Sequence, residues 1–196
     1  MLDNNDQIYS IAELAFAPRC TYVVVFTTNR NVYKGYISHA ISERFLDILN
    51  QGSILNQPCL TYDFLPLNEV EIYNLDGQNE KENGISNCIL NKNNILVVAE
   101  GRLDCEELPP AKPFQFTLFR RKEPVWVKIQ MQDLTITGQV HIRQGEEPMK
   151  VLEMDKIFLP VTTATISSTS NSSHFEFDFI AFNKNQIISI SKLAKP

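Results

Sequence analysis

Long hydrophobic runs are missing from this chain: none approaches the roughly 18 apolar residues that a membrane-spanning helix needs. The opening residues, MLDNNDQIYS, are acidic and polar and lack the basic-then-apolar plan of a secretory leader. The expectation is a soluble, cytoplasmic chain with no membrane partner. Cysteine is sparse. Cys20, Cys59, Cys88 and Cys105 form no CxxC pair, so the spacing of a zinc or thioredoxin-like site is absent. They read as reduced, small hydrophobes. Also lacking are a Walker loop, a GxSxG elbow, an HExxH helix and a dinucleotide fingerprint. The adjacent carboxylates Glu106-Glu107 and Glu146-Glu147 point apart on any regular element and read as loop solvation. No catalytic residue, cofactor or metal is therefore expected. Basic residues are in deficit, 18 against 23 acidic for a net charge of −5, which disfavours a general nucleic-acid binder. The deficit is uneven. Residues 1–110 hold 7 basic and 15 acidic residues, whereas residues 111–196 hold 11 and 8, so opposite charge favours contact between halves or between molecules.

What is present leans toward strands. Glycine numbers only 7 against 12 Phe, and Val, Ile and Thr are plentiful, a composition that suits pleated surfaces. Three landmarks then recur in the same order, the signature of an internal repeat. The first is a strand, a break and a second strand with a central glycine: Tyr22–Phe26 then Val32–Ile37 around Gly35, and Trp126–Gln130 then Leu134–Val140 around Gly138. The second is Phe64-Leu-Pro66-Leu67 with Val70-Glu-Ile72, matched by Phe158-Leu-Pro160-Val161 with Ala164-Thr-Ile166. The third is an Asn-Lys-Asn corner between strands, Asn91-Lys92-Asn93 and Asn183-Lys184-Asn185. Offsets of 103, 94 and 92 separate the partners, shrinking because the first copy is longer between landmarks.

Each copy reads as five strands: a first extension at 1–19, a first barrel at 20–100, a Pro-rich linker at 101–113 and a second barrel at 114–196. The strand-two glycine predicts a bend or bulge where a side chain would obstruct a curled sheet. Pro66 and Pro160 lack an amide hydrogen and belong at a strand start or edge. The asparagines of the corners suit the positive φ of tight turns. Ser42 to Gly52 predicts a short helix in the first copy, capped by Ser42 and ended by Gly52. Ile8, Ile11, Ala12 and Ala15 form a further helical stripe that Pro18 ends.

At these landmarks the sequence resembles an uncharacterised bacterial family of small Sm-like β-barrel proteins. Its members show a strand-two glycine, an FLPL-x-x-V strand and a closing F-[VIL]-A-[VIL]-N-[KR]-x-x-I hairpin. Gly35, Phe64 to Val70, Gly138, Phe158 to Ala164 and Phe179 to Ile187 carry the likeness. Cys88-Ile-Leu90 departs from it, standing where an aromatic residue usually starts the fourth strand. The resemblance covers about three quarters of the chain and implies an all-β fold of two tandem five-stranded Sm-like, SH3-like barrels. Sm-type proteins close rings by pairing the fourth strand of one barrel with the fifth of the next, so it also implies self-association or a protein partner. Their RNA-reading motifs are matched only at the corner lysines.

Candidate contact residues follow. Lys92 and Lys184 occupy equivalent corners, where a lysine can meet phosphate as a point charge or stand in solvent at a hairpin tip. Arg120, Arg121 and Lys122 form the one basic cluster, and Trp126, Phe114 and Phe116 lie near it, a combination that can stack nucleobases or build an inter-domain seam. His39 and His141 follow the two glycines with no further metal-ligand spacing. The leading expectation is a non-enzymatic interaction or assembly module; the alternative is single-stranded nucleic-acid binding through the more basic second barrel.

Overall fold

Alternating Val, Ile, Tyr and Phe set out ten strands: β1 (Pro18–Thr27), β2 (Asn31–Ala40), β3 (Phe64–Asn74), β4 (Glu82–Asn91), β5 (Ile95–Glu100), β6 (Lys122–Gln130), β7 (Leu134–Arg143), β8 (Phe158–Ser168), β9 (His174–Asn183) and β10 (Ser189–Lys192). Among the described residues one α-helix, α1 (Phe45–Gln51), follows β2. This computed structural model describes residues 17–53, 63–75, 82–101, 122–170 and 173–194. The helical stripe expected before Pro18, the linker beyond Gly101, Cys59, Cys105, Phe114, Phe116, Arg120 and Arg121 lie outside the described residues.

All ten strands form one antiparallel sheet in the order β10-β6-β7-β8-β9-β5-β1-β2-β3-β4. The sheet is not closed; β10 and β4 are its edges. A closed barrel was the expectation for each half, whereas the hydrogen-bonded ladder runs through both. Within each half the strand order is nevertheless the same, with the fifth strand beside the first and the fourth at the far side. The registers correspond as well. Val23 opposes Gly35 as Val127 opposes Gly138. Phe64 opposes Asn91 as Phe158 opposes Asn183. Val25 opposes Val98 as Ile129 opposes Ile190.

Both glycines sit at a break in the ladder. The β2–β3 register shifts between Lys34 and Tyr36, and the β7–β8 register between Thr137 and Gln139. The facing strand carries a residue at positive φ each time, Glu69 at 52° and Thr163 at 50°. A methyl group at Gly35 would meet the Asn68 carbonyl oxygen at 2.8 Å, and one at Gly138 would meet Val161 Cγ1 at 2.5 Å. At Gly35 the facing backbone, and at Gly138 the Val161 side chain, leaves no room for a Cβ, and the bulge lets the sheet curl over its own apolar face. Pro66 and Pro160 lie beyond the last β2–β3 and β7–β8 pairs, at Asn68 and Thr162, where no amide hydrogen is asked of them.

Three details differ from the sequence reading. β1 begins at Pro18, earlier than the expected boundary. Arg44, not Ser42, holds the helix N-cap and makes no side-chain cap bond, while Gly52 ends the helix at φ 82° as expected. The Asn-Lys-Asn corners are short 3₁₀ turns whose asparagines stay at negative φ. Asn91 and Asn183 act by capping instead, their side chains accepting from the amides of Asn93 and Asn185.

We expect Gly35→Ala and Gly138→Ala each to lower stability by about 1–3 kcal/mol through overpacking at the bulge. Urea denaturation midpoints of the two variants test this, and an unshifted midpoint for both would remove the packing account of these glycines.

Candidate protein-interaction seam

The fifth strand of the first half and the fourth of the second meet at the centre of the sheet. Val97 opposes Phe182, Val98 opposes Ala181 and Ala99 opposes Ile180. Three residue pairs are too few for backbone bonding alone to hold two halves together. Side chains do more. β5 reads Ile-Leu-Val-Val-Ala before Glu100, apolar at every position and buried on both faces. Its residues divide between two cores, Ile95 and Val98 entering that of the first half. Leu96, Val97 and Ala99, with Val24 and Phe26, belong to the cluster built on the second half. Phe158 and Ala181 of the second half belong to the cluster built on the first. Phe26 also meets Phe175 and Phe177 edge-on, with ring centroids 5.4 and 6.3 Å apart. Each such buried side chain contributes roughly 1.5–3 kcal/mol, so burial dominates the seam.

Polar groups fix its register. Asn183 is fully buried, and its amide donates to the carbonyl oxygens of Lys92 and Ile95, each at 3.1 Å. Its carbonyl accepts from its own corner at Asn185, so both ends of the side chain are used. Gln186 donates to the Asn93 carbonyl at 2.7 Å, corner to corner. Asn50 of α1 clamps the start of β8, donating to the Phe158 carbonyl at 3.0 Å and accepting from the Phe158 amide at 2.9 Å. Two ion pairs also cross, Lys156 to Asp47 at 3.0 Å and Arg30 to Asp133 at 3.6 Å. These are partly exposed and worth about 0.2–1 kcal/mol apiece. They run in opposite senses, so the charge difference between the halves is a minor contributor. Asn50, Arg30 and Gln186 were not singled out from sequence; nothing marks a polar residue as cross-seam until the halves are docked.

The expected contact residues that lie in the described range, Lys92, Lys184, Lys122 and Trp126, scatter. Lys92 is only 3% exposed, so it is neither a free charge for phosphate nor a solvated tip. Burial lowers its pKa to about 8, partly opposed by the Asp63 carboxylate. Lys184 is half-buried and donates to the Met154 carbonyl. Lys122 is exposed at the start of β6 and borders a shallow cleft in which the cations Arg143 and Lys150 already pair with Glu146 and Glu153. Trp126, half-buried, lines a different cleft of about 470 Å³ together with Glu100, Glu176 and Asp178. Three carboxylates around the indole repel a nucleic-acid backbone. The site brings these cations and the indole together nowhere.

His39 is buried, its Nδ1 against the Ala40 carbonyl and its Nε2 against the Thr21 hydroxyl, both at 2.8 Å. As a neutral ring it donates from Nδ1, because a carbonyl only accepts, and takes the threonine proton at Nε2. His141 bonds Thr162 at 2.9 Å and is exposed. Among the described residues no group of three His, Cys, Asp or Glu side chains could hold a metal ion. Among the same residues no helix is long and apolar enough to cross a membrane. Comparisons with protein-family models, curated proteins and solved structures found no match to this chain.

Because Lys92 titrates lower folded than at its ordinary 10.5, the unfolded chain holds the extra proton between about pH 8 and 10.5. Stability contributed through this residue therefore rises with pH across that window, and its cost is full below pH 8. We expect wild type to gain up to about 3 kcal/mol relative to Lys92→Met over this range, read from urea midpoints; parallel pH profiles would refute it. Asn183→Ala should cost about 1–3 kcal/mol by stranding the Lys92 and Ile95 carbonyls, measured the same way at pH 7.

Proposed function

We propose that this chain is a non-enzymatic assembly module: two Sm-like, SH3-like units, related by tandem duplication and fused into a pseudo-dimer that serves as a scaffold or adaptor for protein partners. The support is the seam. A fourth strand lies against a fifth, the two cores interpenetrate, and the bonds that set register are made by side chains at the equivalent corners and by Asn50 of α1. Fusion raises the effective concentration of one unit at the other to the millimolar range, so a contact of modest intrinsic strength is held closed. The buried lysine corner, the glycine bulge and the capped asparagines are then framework, and the surfaces left for a partner are the two strand edges.

The nucleic-acid alternative has little to rest on. Lys92 is buried and Trp126 sits among carboxylates, while Arg120 and Arg121 lie outside the described residues. Phosphate binding needs several free cations on one face.

Cutting the connection tests the module. A protease site placed within residues 102–121 allows the folded chain to be cleaved, and the halves should still co-elute on size exclusion at low and moderate salt. Ala181→Lys, which puts a charge into the buried seam, should release them. Halves that separate without that substitution would overturn the reading.

A further inference from the structure

One cleft belongs neither to that framework nor to the strand edges. It measures about 470 Å³ and joins the two halves, with Glu100 of β5 on one side and Trp126 of β6 on the other. Phe177 adds a second ring, and Glu176 and Asp178 of β9 add two more carboxylates. Among the described residues no cation lines it. Glu176 lies opposite Thr165 across the β8–β9 ladder, so its charge has a neutral cross-strand partner. Among the described residues neither Glu100 nor Glu176 makes an ion pair or a side-chain hydrogen bond.

The matching place in the first half supplies an independent sign. The shared registers put Tyr22 where the second half has Trp126, Lys34 where it has Thr137, Glu71 where it has Thr165, and Tyr73 where it has Ser167. There Lys34 lies opposite Glu71, its Nζ stands 4.4 Å from the Tyr73 ring centroid, and the Tyr73 hydroxyl donates to Glu71. Ring, carboxylate and cation all come from that half itself. The second half keeps the ring on its first strand and takes its carboxylates from β9 and β5, but threonine replaces the lysine. The member it lacks is the cation.

We propose that this cleft binds the guanidinium group of an arginine-containing ligand. An indole face attracts a cation through its ring quadrupole, and a planar guanidinium also lies flat against the ring. Its rigid fork of donors matches carboxylate oxygens and makes charge-assisted hydrogen bonds to them. The volume lies within the range of small-molecule sites and admits the side chain with part of the backbone that carries it. A cleft lined by charge of one sign also draws the opposite charge toward it, an attraction that salt screens. The guanidinium can belong to a free small molecule or to a peptide, and titration tells the two apart.

Trp126 is the chain's one tryptophan, so its emission reads the cleft directly. At low ionic strength, argininamide should quench that emission saturably with a Kd of about 1 mM, as suits so small a ligand. Citrullinamide, which has nearly the same shape without the guanidinium charge, should leave the emission unchanged. Glu176→Gln with Asp178→Asn should weaken argininamide binding by about tenfold or more, while circular dichroism stays that of wild type. Thr165→Lys, which sets a cation opposite Glu176 as Lys34 stands opposite Glu71, should weaken it likewise. The citrullinamide comparison needs no variant, so it decides the matter even where a substitution unfolds the chain. Binding of acetyl-Gly-Arg-Gly-amide about tenfold tighter than argininamide assigns the cleft to a peptide, and equal binding assigns it to a small molecule; both uphold the guanidinium site. Quenching that fails to saturate by about 50 mM argininamide, an equal response to citrullinamide, or unchanged affinity in both variants overturns it. None of these results bears on whether cleaved halves stay together, so this inference and the assembly reading fail separately.

Discussion

Everything in this molecule turns on β5, a six-residue strand that has to be apolar on both faces. A strand at the edge of a one-sided sheet alternates between core and solvent. β5 cannot alternate, because one face closes the core of the first half and the other lies in the core of the second. Its run of Ile95 to Ala99 is the covalent record of that double burial. Only Glu100, at the mouth of the carboxylate-lined cleft, returns to water.

The two halves share strand order and register but not surface chemistry, and the difference has one direction. Where β1 meets the seam it carries Val24 and Phe26; at the corresponding outward positions β6 carries Lys128 and Gln130. Where β9 meets the seam it presents Phe175, Phe177 and Phe179; β4 has Ile85 and Asn87 at the places of the latter two. At these positions the residues that contact the other half are large and apolar, and residues at the same places on the outer edges are polar or smaller. Burial imposes that sorting, since an unpaired polar group in the seam costs several kcal/mol while an exposed apolar edge invites aggregation. Ile89 and Ile188 are the exceptions to it.

Curvature comes from a different device that both halves use. A glycine on the second strand faces a positive-φ residue on the third, Gly35 with Glu69 and Gly138 with Thr163. The extra residue breaks the ladder and lets the strand bend, so Val70 and Ala164 turn inward immediately after it. The helix α1, present in the first half, serves the second as well: Asn50 holds the β8 backbone there, and the residues at 148–153 of the second half form a 3₁₀ turn in place of a helix.

The sequence alone was sufficient for the local layer of this structure. Period-two alternation marks strands, a lone glycine inside a strand marks a bulge, and the Asn-Lys-Asn corner marks a tight connection, because each follows from the backbone's own steric and hydrogen-bonding needs. Helix α1, its closing Gly52 and the matching order of elements were legible for the same reason, although the role of the corner asparagines was not: a 3₁₀ turn with a side-chain cap and a positive-φ turn ask for the same asparagine. What the sequence could not settle was where each half's fourth and fifth strands find partners. An edge that closes onto its own half and an edge that joins the other need the same apolar alternation and the same unpaired amides, and only docked surfaces distinguish them. The burial of Lys92, the reach of Asn183 and the clamp of Asn50 followed from that choice, since each depends on which backbone arrives from outside its own half.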